Sequence, residues 1–453
     1  MCNYIIGNDY FNNLKKNIPL EQKTKEEIRK IFFPYKFIKK QENKIQEQDQ
    51  LIEKSLLGEF REIPIKYLFN AEIAINKKHN IKNIDLKKLP DIRLSNLKIL
   101  NKFKIQNGFF TGINNTFPGS GFIDFYKDNL IILSSRGVLT FTNSLNNLSL
   151  HLIKNNINDF IGLNQFIKYH WFSTKDLLID KNKIYVSYTE EITNDCWNIS
   201  LLYGDMNFEH IKFKKLFSSN NCMDSKNPKD MEFNAHQSGG RIVKFDNDHI
   251  LFSTGDFKSR YHAQDKSSIN GKIIKINIHN KNYEIISMGH RSPQGLYYDI
   301  NNNFILETEH GPEGGDEINL IEINKTNIPN YGWAIASYGE HYGGKNDESN
   351  KERYRKYPLY KSHIKYGFIE PIKYFVPSIG ISEITKIKKN KYIFGSMREQ
   401  SLYFFELNDA KELINLERVK VGERIRDLNF NKNDNALYLF LEDSASIGTI
   451  PIN

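Results

Sequence analysis

From about residue 96 to the C-terminus, apolar and polar residues alternate in short runs that are separated by Asn, Asp and Gly. A period of two residues is typical of strands with one buried face, and the intervening residues are typical of turns. Six such runs recur, about 45 to 90 residues apart, and no alternation of strands with helices accompanies them. This recurrence predicts an all-β fold, a six-bladed β-propeller, with a pair of β-sandwiches as the alternative. The runs are NLIILSSRGVLTF from Asn129, KIYVSYTEE from Lys183, HILFSTGDF from His249, NFILETEHG from Asn303, KYIFGSMREQSLYFFEL from Lys391 and ALYLFLEDS from Ala436.

Residues 1–95 have a different pattern and are predicted to form a mostly helical or irregular N-terminal extension to a propeller domain at residues 96–453. The stretch from Glu21 to Glu59 is rich in Lys, Glu and Gln, and Pro34 interrupts any continuous helix there. A dimerising coiled coil is disfavoured because the apolar heptads are not sustained. The apolar positions at roughly helical spacing are Ile45, Leu51, Ile52, Leu56 and Leu57.

The 453-residue chain carries a net charge of +9, but its lysines are scattered through Asn- and Ile-rich sequence. This distribution does not form the basic patch or motif of a nucleic-acid-binding protein, so no nucleic-acid partner is expected. No stretch reaches the roughly 18 consecutive apolar residues that a membrane span needs, so no transmembrane segment is expected. The N-terminus, MCNYIIGNDYFNNLKK, shows no readable signal peptide.

Two of the three cysteines, Cys196 and Cys222, flank a segment that is predicted to form two strands joined by a turn at residues 204–207. A hairpin brings its two ends together, so the geometry is compatible with a disulfide. Two buried free thiols are the alternative. A disulfide would indicate an oxidising compartment.

The stretch ETEHGPEGGDEINLI, residues 307–321, combines glycines and carboxylates in a single turn. Gly311 allows close approach of the backbone, and Pro312 lacks an N–H, which leaves its carbonyl available to a hard cation. Asp316 and Glu317 add negative charge nearby. These features predict a Ca²⁺ site, and the alternative is a connecting loop whose acids cap turns.

Three further stretches carry candidate chemistry. His236 precedes a Ser-Gly-Gly turn and is a candidate base, although a loop histidine is more commonly only hydrogen-bonded. Arg291 lies beside Gln294 in GHRSPQGLYYD and offers a fixed positive charge. Arg424 and Arg426, in VGERIRDLNF, alternate along a strand and therefore share one face. Two neighbouring guanidiniums need an anion between them, which a ligand or an internal salt bridge would supply.

Several of these motifs, in this order, resemble the glucose/sorbosone dehydrogenase family, whose soluble sugar dehydrogenases use pyrroloquinoline quinone on a six-bladed propeller. The resemblance rests on HQSGGRI, ILFSTGD, GHRSPQGL, ETEHGPEGGDEINLI, NYGW, GERIRDLNF and ALYLFLED, and it spans roughly Trp171 to the C-terminus. It implies a sugar substrate, a quinone cofactor with Ca²⁺, and an external electron acceptor such as a cytochrome or a quinone. Periplasmic or secreted localisation is also implied, whereas the lack of a readable signal peptide leaves the cytoplasm open.

The resemblance also implies roles for individual residues. His236 matches the base that takes the sugar hydroxyl proton, and Arg291 matches the arginine at the reactive quinone oxygens. Gly311 and Pro312 match the pair whose carbonyls hold calcium, with Asp316 and Glu317 supporting the loop. The implied cofactor-binding residues are Arg291, Ser292, Gln294, Arg398, Arg424 and Arg426.

Three departures from the family pattern bear on activity. Ser292 replaces a usual asparagine, and Ala235 replaces an acid that often precedes the histidine, so His236 needs another orienting partner. The loop YHWFSTKDLL replaces a Gln- and Gly-rich loop, and Lys175 and Asp176 are candidates to replace its contacts. A catalytically inactive propeller that binds carbohydrate or protein is therefore the alternative function. A calcium-dependent hydrolase is less well supported because inward acids are expected only around Asp316.

Overall fold

The structure is a computed structural model that describes residues 65–77, 81–96, 98–106, 120–169, 171–229, 232–323 and 327–452. The apolar positions between Ile45 and Leu57, and the helices expected between Glu21 and Glu59, lie outside the described residues. Within the described ranges the fold is mostly β, with four α-helices: α1 Ile65–Lys77, α2 Leu163–Phe166, α3 Tyr261–Gln264 and α4 Lys351–Lys356.

In the described part of the chain, twenty-seven strands form five sheets, three of which have four strands each, and all but one of the strand pairs are antiparallel. In the first two of these sheets the first strand starts inside a sequence motif that carries candidate chemistry, HQSGGRI and GHRSPQGL. The three sheets, in order along the chain, comprise β13 Gly239–Lys244, β14 His249–Thr254, β15 Lys272–Asn277 and β16 Tyr283–Met288; then β17 Pro293–Asp299, β18 Phe304–Glu309, β19 Asp316–Glu322 and β20 Lys373–Phe375; then β21 Ile381–Lys388, β22 Lys391–Ser396, β23 Ser401–Leu407 and β24 Leu413–Lys420.

A fourth sheet has five strands, and the fifth has ten strands drawn from both ends of the described chain. The five-stranded sheet contains β7 Thr174–Asp180, β8 Lys183–Thr193, β9 Cys196–Asp205, β11 Lys214–Phe217 and β12 Met223–Asp224. The ten-stranded sheet contains β1 Asn83–Arg93, β2 Ile99–Ile105, β3 Gly121–Tyr126, β4 Asn129–Ser134, β5 Leu139–Thr142, β6 Ser149–Asn155, β10 His210–Ile211, β25 Ile425–Asn431, β26 Ala436–Leu441 and β27 Ser446–Pro451.

Six strands contact one another in a closed ring, and each is the first strand of a group of strands, or unit, that continues along the chain. β3 contacts β7, and the contacts continue through β13, β17, β21 and β25 back to β3. The N-terminal and C-terminal parts of the described chain are joined in one sheet, because β2 pairs with β27. The prediction of a β architecture is confirmed, and the ring leaves one set of strand ends around a common axis.

The β structure begins earlier than the predicted domain boundary between residues 95 and 96. β1 starts at Asn83 and pairs with β2 on one side and β6 on the other, so residue 95 lies in the turn of a paired hairpin. The alternation of β1 is obscured in the sequence by its lysines and by Pro90, which lies where the register shifts. Proline at a bulge leaves the remaining ladder intact.

The apolar core lies between neighbouring sheets rather than in one central mass. One buried cluster joins α1 to the first two units through Phe69, Phe166 and Phe172. Another joins β2 to the last two units through Leu100 and Ile425. The described part of the N-terminal segment is thus packed onto the ring, and burial of such side chains stabilises the fold by roughly 25 cal/mol per Å² of apolar surface.

Candidate active site

Five of the six first strands have a β-bulge near their start, and these bulges present polar side chains to the ring axis. In β7, β17 and β25 a single extra residue is bulged, namely Lys175, Gln294 and Arg426. In β13 and β21 the irregular step contains Arg241 and Glu383. A bulge re-aims a side chain that regular pleating would send to the neighbouring sheet. Lys175, Arg241, Gln294 and Arg426 consequently line the same cavity.

The site consists of two adjoining cavities of about 200 Å³ and about 280 Å³. His236 and His310 line both of them, so the two spaces meet at these imidazoles. The structure brings most of the predicted residues together here. Gln294, Arg424 and Arg426 line the first cavity, and the second is lined by Arg291, Gly311, Pro312, Asp316 and Arg398.

His236 lies on a short 3₁₀ turn, Ala235–Gln237, and Asn234 is its N-cap. The side-chain oxygen of Asn234 accepts a hydrogen bond from the backbone N–H of His236 at 3.1 Å. The imidazole packs against the indole of Trp171. Its Nδ1 is buried and has no hydrogen-bond partner in the described part of the chain. Burial, followed by the charges of Lys175 and Arg291, holds the pKa of His236 well below its usual value. The ring is therefore neutral near pH 7 and able to accept a proton.

Arg291 is 5% exposed and is held in place on several sides. Its Nη1 donates to the carbonyl of His310 at 2.8 Å, and its guanidinium lies 5.3 Å from the Trp333 ring. The backbone N–H of Arg291 donates to Glu309. These contacts preorganise a positive charge at the wall of the second cavity.

Ser292 lies next to Arg291 but is fully buried and does not line either cavity. Its hydroxyl accepts from Nε2 of Gln294 at 3.1 Å. The structure thus gives Ser292 a supporting position behind Gln294. Arg398, by contrast, is exposed at the wall of the second cavity.

Arg424 and Arg426 share one buried carboxylate, that of Glu442, the residue that directly follows β26. Arg424 Nε donates to Oε2 at 2.8 Å, and Arg426 Nη2 donates to Oε1 at 2.7 Å. Burial alone would raise the pKa of Glu442, but the two guanidiniums outweigh it and hold the pKa below its usual value. Of the two possibilities that the sequence allowed, the internal salt bridge is present, and both arginines still line the first cavity.

The Gly311–Asp316 turn is stabilised by the carboxylate of Asp316. Oδ1 accepts from the N–H of Gly311 at 3.1 Å, and Oδ2 accepts from the N–H of Gly380 at 2.7 Å. A Cβ on Gly311 would lie 2.1 Å from the carbonyl oxygen of Gly315, so only glycine fits this turn. Within the described ranges the carbonyls of Gly311 and Pro312 accept no hydrogen bond. Unpaired carbonyls at a cavity wall suit a hard cation.

Glu317 points away from this turn, because successive residues of a strand face opposite sides. Its carboxylate lies 3.6 Å from Nε2 of His363, outside the second cavity. Burial, followed by the nearby Glu309, raises the pKa of Glu317 well above its usual value. Asp316 is thus the residue that supports the turn directly.

Cys196 and Cys222 are joined by a disulfide with an S–S distance of 2.09 Å. It connects the start of β9 to the residue before β12, which pairs with β9 at Cys196 and Trp197. The bond lies on the five-stranded sheet that also carries Lys175.

Comparison with known proteins identifies relatives of this chain. Residues 178–448, more than half of the chain, match the family described as Glucose / Sorbosone dehydrogenase. The chain belongs to this family. It is 27% identical over 231 residues to the aldose sugar dehydrogenase YliI of Escherichia coli, covering 46% of this chain and 57% of that protein. The matches span about half the length of the curated relatives.

Two solved structures show the same fold. The soluble aldose sugar dehydrogenase from Escherichia coli, in its apo-form, gives a TM-score of 0.58 at 21% identity and covers 73% of this chain and 95% of its own. The aldose sugar dehydrogenase from Streptomyces coelicolor, in its PQQ-bound form, gives a TM-score of 0.53 at 14% identity, with 74% and 100% covered. No helix in the described part of this family member has the length and apolar character required to cross a membrane.

Two aromatic residues of this family member were not singled out by sequence reasoning. His310 lines both cavities, and burial lowers its pKa to about 4. Its position inside the motif ETEHGPEGG was the available signal. Trp171 was identified only as part of a divergent loop, and its contact with His236 depends on tertiary structure.

Inward acids are not confined to Asp316, so that expectation is wrong. Arg241 Nη1 lies 3.1 Å from Asp176, 2.8 Å from Glu383 and 2.8 Å from Asp427. The bulges on the first strands gather these acids at the ring axis, which no local sequence pattern reveals. Asp176 is thereby committed to Arg241 and does not line the first cavity, whereas Lys175 does.

Proposed function

We propose that this chain is a pyrroloquinoline-quinone-dependent dehydrogenase that oxidises an aldose or related polyol on a six-bladed β-propeller. The observation that carries the proposal is the arrangement around His236. A neutral imidazole, unpaired backbone carbonyls and the four predicted arginines, Arg291, Arg398, Arg424 and Arg426, surround two adjoining cavities. Family membership and the name of the Escherichia coli relative support a sugar as the substrate.

The propeller proposal rests on six antiparallel units and on the ring formed by their first strands. In this reading the ten-stranded sheet is two blades bridged by β1, since β1 pairs with β2 of the last blade and with β6 of the first. The six runs read from the sequence each fall in a different unit.

The residues of the first cavity fit a cofactor with several carboxylates. Arg426 would hold such groups, since its guanidinium has more donors than Glu442 uses, and Arg424 and Gln294 line the same cavity. Arg398 and Arg291 would hold the oxygens that reach the second cavity. Gly311 and Pro312 would bind Ca²⁺ through their carbonyls. When bound, the quinone supplies the chemistry of accepting two electrons and a proton from a CH–OH group.

The proposed base is His236, which would take the proton of the sugar hydroxyl. A neutral imidazole is needed for this step, and the low pKa of His236 provides it at neutral pH. Trp171 limits the orientations of the ring. Arg291, fixed by the carbonyl of His310, would stabilise negative charge on the acceptor side without reorganising.

The disulfide supports an oxidising compartment, such as the periplasm or the extracellular space, as the place of action. Electrons would then leave to an external acceptor, a cytochrome or a quinone.

The test is a titration of purified apo-protein with pyrroloquinoline quinone and Ca²⁺, followed by dye reduction with a panel of aldoses. We expect calcium-dependent quinone binding and sugar-driven reduction. His236→Asn is expected to lower turnover by about 10²-fold or more while quinone binding is retained. The control is His210→Asn, at an exposed position of β10, which should behave as the unmodified protein.

Absence of quinone binding at saturating calcium would contradict the proposal and favour the alternative of an inactive carbohydrate- or protein-binding propeller. Quinone binding without reduction by any aldose would support the proposed cofactor and contradict the proposed sugar substrate. Equal turnover in His236→Asn and His210→Asn would contradict the role of His236 as the base.

A further inference from the structure

Lys175 occupies the same position in its strand as two predicted cofactor-binding residues occupy in theirs. In β7 the pairing passes from Thr174–Tyr188 to Asp176–Ser187, which leaves Lys175 as the one extra residue. Gln294 and Arg426 are the corresponding extra residues of β17 and β25. Because equivalent bulges of a ring present their side chains to the same space, Lys175 lines the first cavity with the other two.

The residues on either side of Lys175 are anchored, so its backbone is fixed. The hydroxyl of Thr174 donates to the carbonyl of Ser134 at 2.9 Å. Asp176 accepts from the N–H of Ile242 at 2.8 Å and from Arg241. Gly240 packs against Lys175, since a Cβ there would lie 2.5 Å from the Cβ of Lys175. A fixed backbone at a cavity wall limits the positions that the ammonium group can reach.

The ammonium group of Lys175 has one acceptor in the described structure, the carbonyl of Trp171 at 2.9 Å. A lysine carries three donors, so two remain for a ligand. Burial, followed by the charges of Arg426 and Arg136, lowers its pKa well below the usual value. An anion in the cavity would relieve that cost.

The acids close to the first cavity are already committed to arginines. Glu442 is shared by Arg424 and Arg426. Asp176, Glu383 and Asp427 are grouped around Arg241. The first cavity itself is lined by cations and by no carboxylate among the described residues. The charged side chains that reach the cavity surface are therefore all basic, which favours an anionic ligand there.

We infer that Lys175 is a further ligand-binding residue of the first cavity and that its ammonium group contacts a carboxylate of the bound cofactor beside Arg426. The identity of that cofactor rests on the proposed function, whereas the negative charge of the ligand does not. Lys175 lies in the loop and strand start where this chain departs from the family pattern, so the contact would be a property of this chain rather than one carried over from its relatives.

The experiment compares Lys175→Met, Lys175→Arg and the control Lys214→Met. Lys214 is exposed on the outer strand of the same sheet, so its replacement removes the same charge away from the cavity. Circular dichroism and melting curves establish that each variant is folded. Equilibrium binding of pyrroloquinoline quinone with Ca²⁺ is then followed by fluorescence, and citrate serves as a second anionic probe that is followed by its shift of the melting temperature.

We expect Lys175→Met to weaken quinone binding about tenfold or more, as loss of a charge-assisted hydrogen bond does, with Lys175→Arg intermediate and Lys214→Met unchanged. Equal binding by Lys175→Met and Lys214→Met would overturn the inference. If the unmodified protein binds no quinone, the proposed function fails and citrate decides the inference separately. A citrate shift that is lost only in Lys175→Met supports it, and equal citrate responses, or none, overturn it.

Discussion

The indole of Trp171 packs against the imidazole of His236, with ring centroids 4.6 Å apart and 54° between the ring planes. Ala235 stands before the histidine, so a preceding acid cannot orient it. The aromatic contact limits the ring by packing rather than by charge. This leaves the pKa of His236 to be set by burial and by the cations around it.

Removal of the Trp171 indole is expected to loosen His236, the proposed base. Trp171→Ala should lower kcat by about tenfold, because a misoriented base loses part of the positional advantage, while the Kd for quinone changes little. Trp171→Phe keeps an aromatic surface and should recover most of the activity. Steady-state kinetics with the preferred aldose measure both, and equal kcat for Trp171→Ala and the unmodified protein would contradict an orienting role.

Activity is expected to persist at acidic pH. The folded-state pKa of His236 is lowered, so the neutral form is kept at neutral pH and is lost only when the pH falls through that lowered value. The groups that act on the imidazole are Lys175, Arg291, His310 and Lys258. The acid limb of kcat/KM should lie below pH 6.5, the ordinary value for histidine. Because kcat/KM reports groups of the free enzyme, an acid limb at or above pH 6.5 would show that His236 is not the titrating base.

Replacement of Asp316 should weaken the proposed calcium site. Asp316→Asn keeps one acceptor oxygen, so one of the two sets of N–H contacts, from Gly311 or from Gly380, is lost. We expect a Ca²⁺ Kd about tenfold higher by calorimetry and a loss of about 1–2 kcal/mol in the free energy of unfolding. The control is Asp409→Asn, at an exposed turn between β23 and β24. Unchanged calcium affinity in Asp316→Asn would separate Asp316 from the cation site.

Glu442→Gln should destabilise the apo-protein by about 2 kcal/mol or more, because Arg424 and Arg426 lose a fully buried counter-charge. Its lowered pKa means that Glu442 contributes stability above the unfolded-state value, and this contribution disappears as the pH falls through the lowered folded-state value. Urea denaturation at pH 7 and at acidic pH should show a difference between the proteins that shrinks in acid. Equal stability at pH 7 would mean that solvent already screens both arginines.

Loss of the disulfide should destabilise the five-stranded sheet. Cys196 and Cys222 are separated by 26 residues, for which chain-entropy arguments give about 3 kcal/mol. The measurement is the urea midpoint of Cys196→Ser/Cys222→Ser against Cys2→Ser. A shift of the midpoint in Cys2→Ser as large as that of the double variant would contradict this assignment.

The fold was readable where its signal is local. Period-two alternation depends only on neighbouring residues, and it indicated strands in all six units, including NFILETEHG and ALYLFLEDS, which form β18 and β26. The β1 strand was missed because Lys and Pro90 mask its alternation and because its partners, β2 and β6, are contributed by distant sequence. The sequence offered both Lys175 and Asp176 as replacements for loop contacts and could not choose between them, since the bulge that turns Lys175 to the first cavity is a relation between two strands.

By itself, the sequence determined the β architecture, the turn at Gly311 and Pro312, and the shared face of Arg424 and Arg426, because these depend on local backbone preference and strand period. Tertiary structure alone decided that Glu442 pairs with both arginines, that Arg241 gathers Asp176, Glu383 and Asp427, and that Trp171 reaches His236. These partners lie far apart along the chain. They meet only when the ring closes and the bulged strand starts converge on its axis.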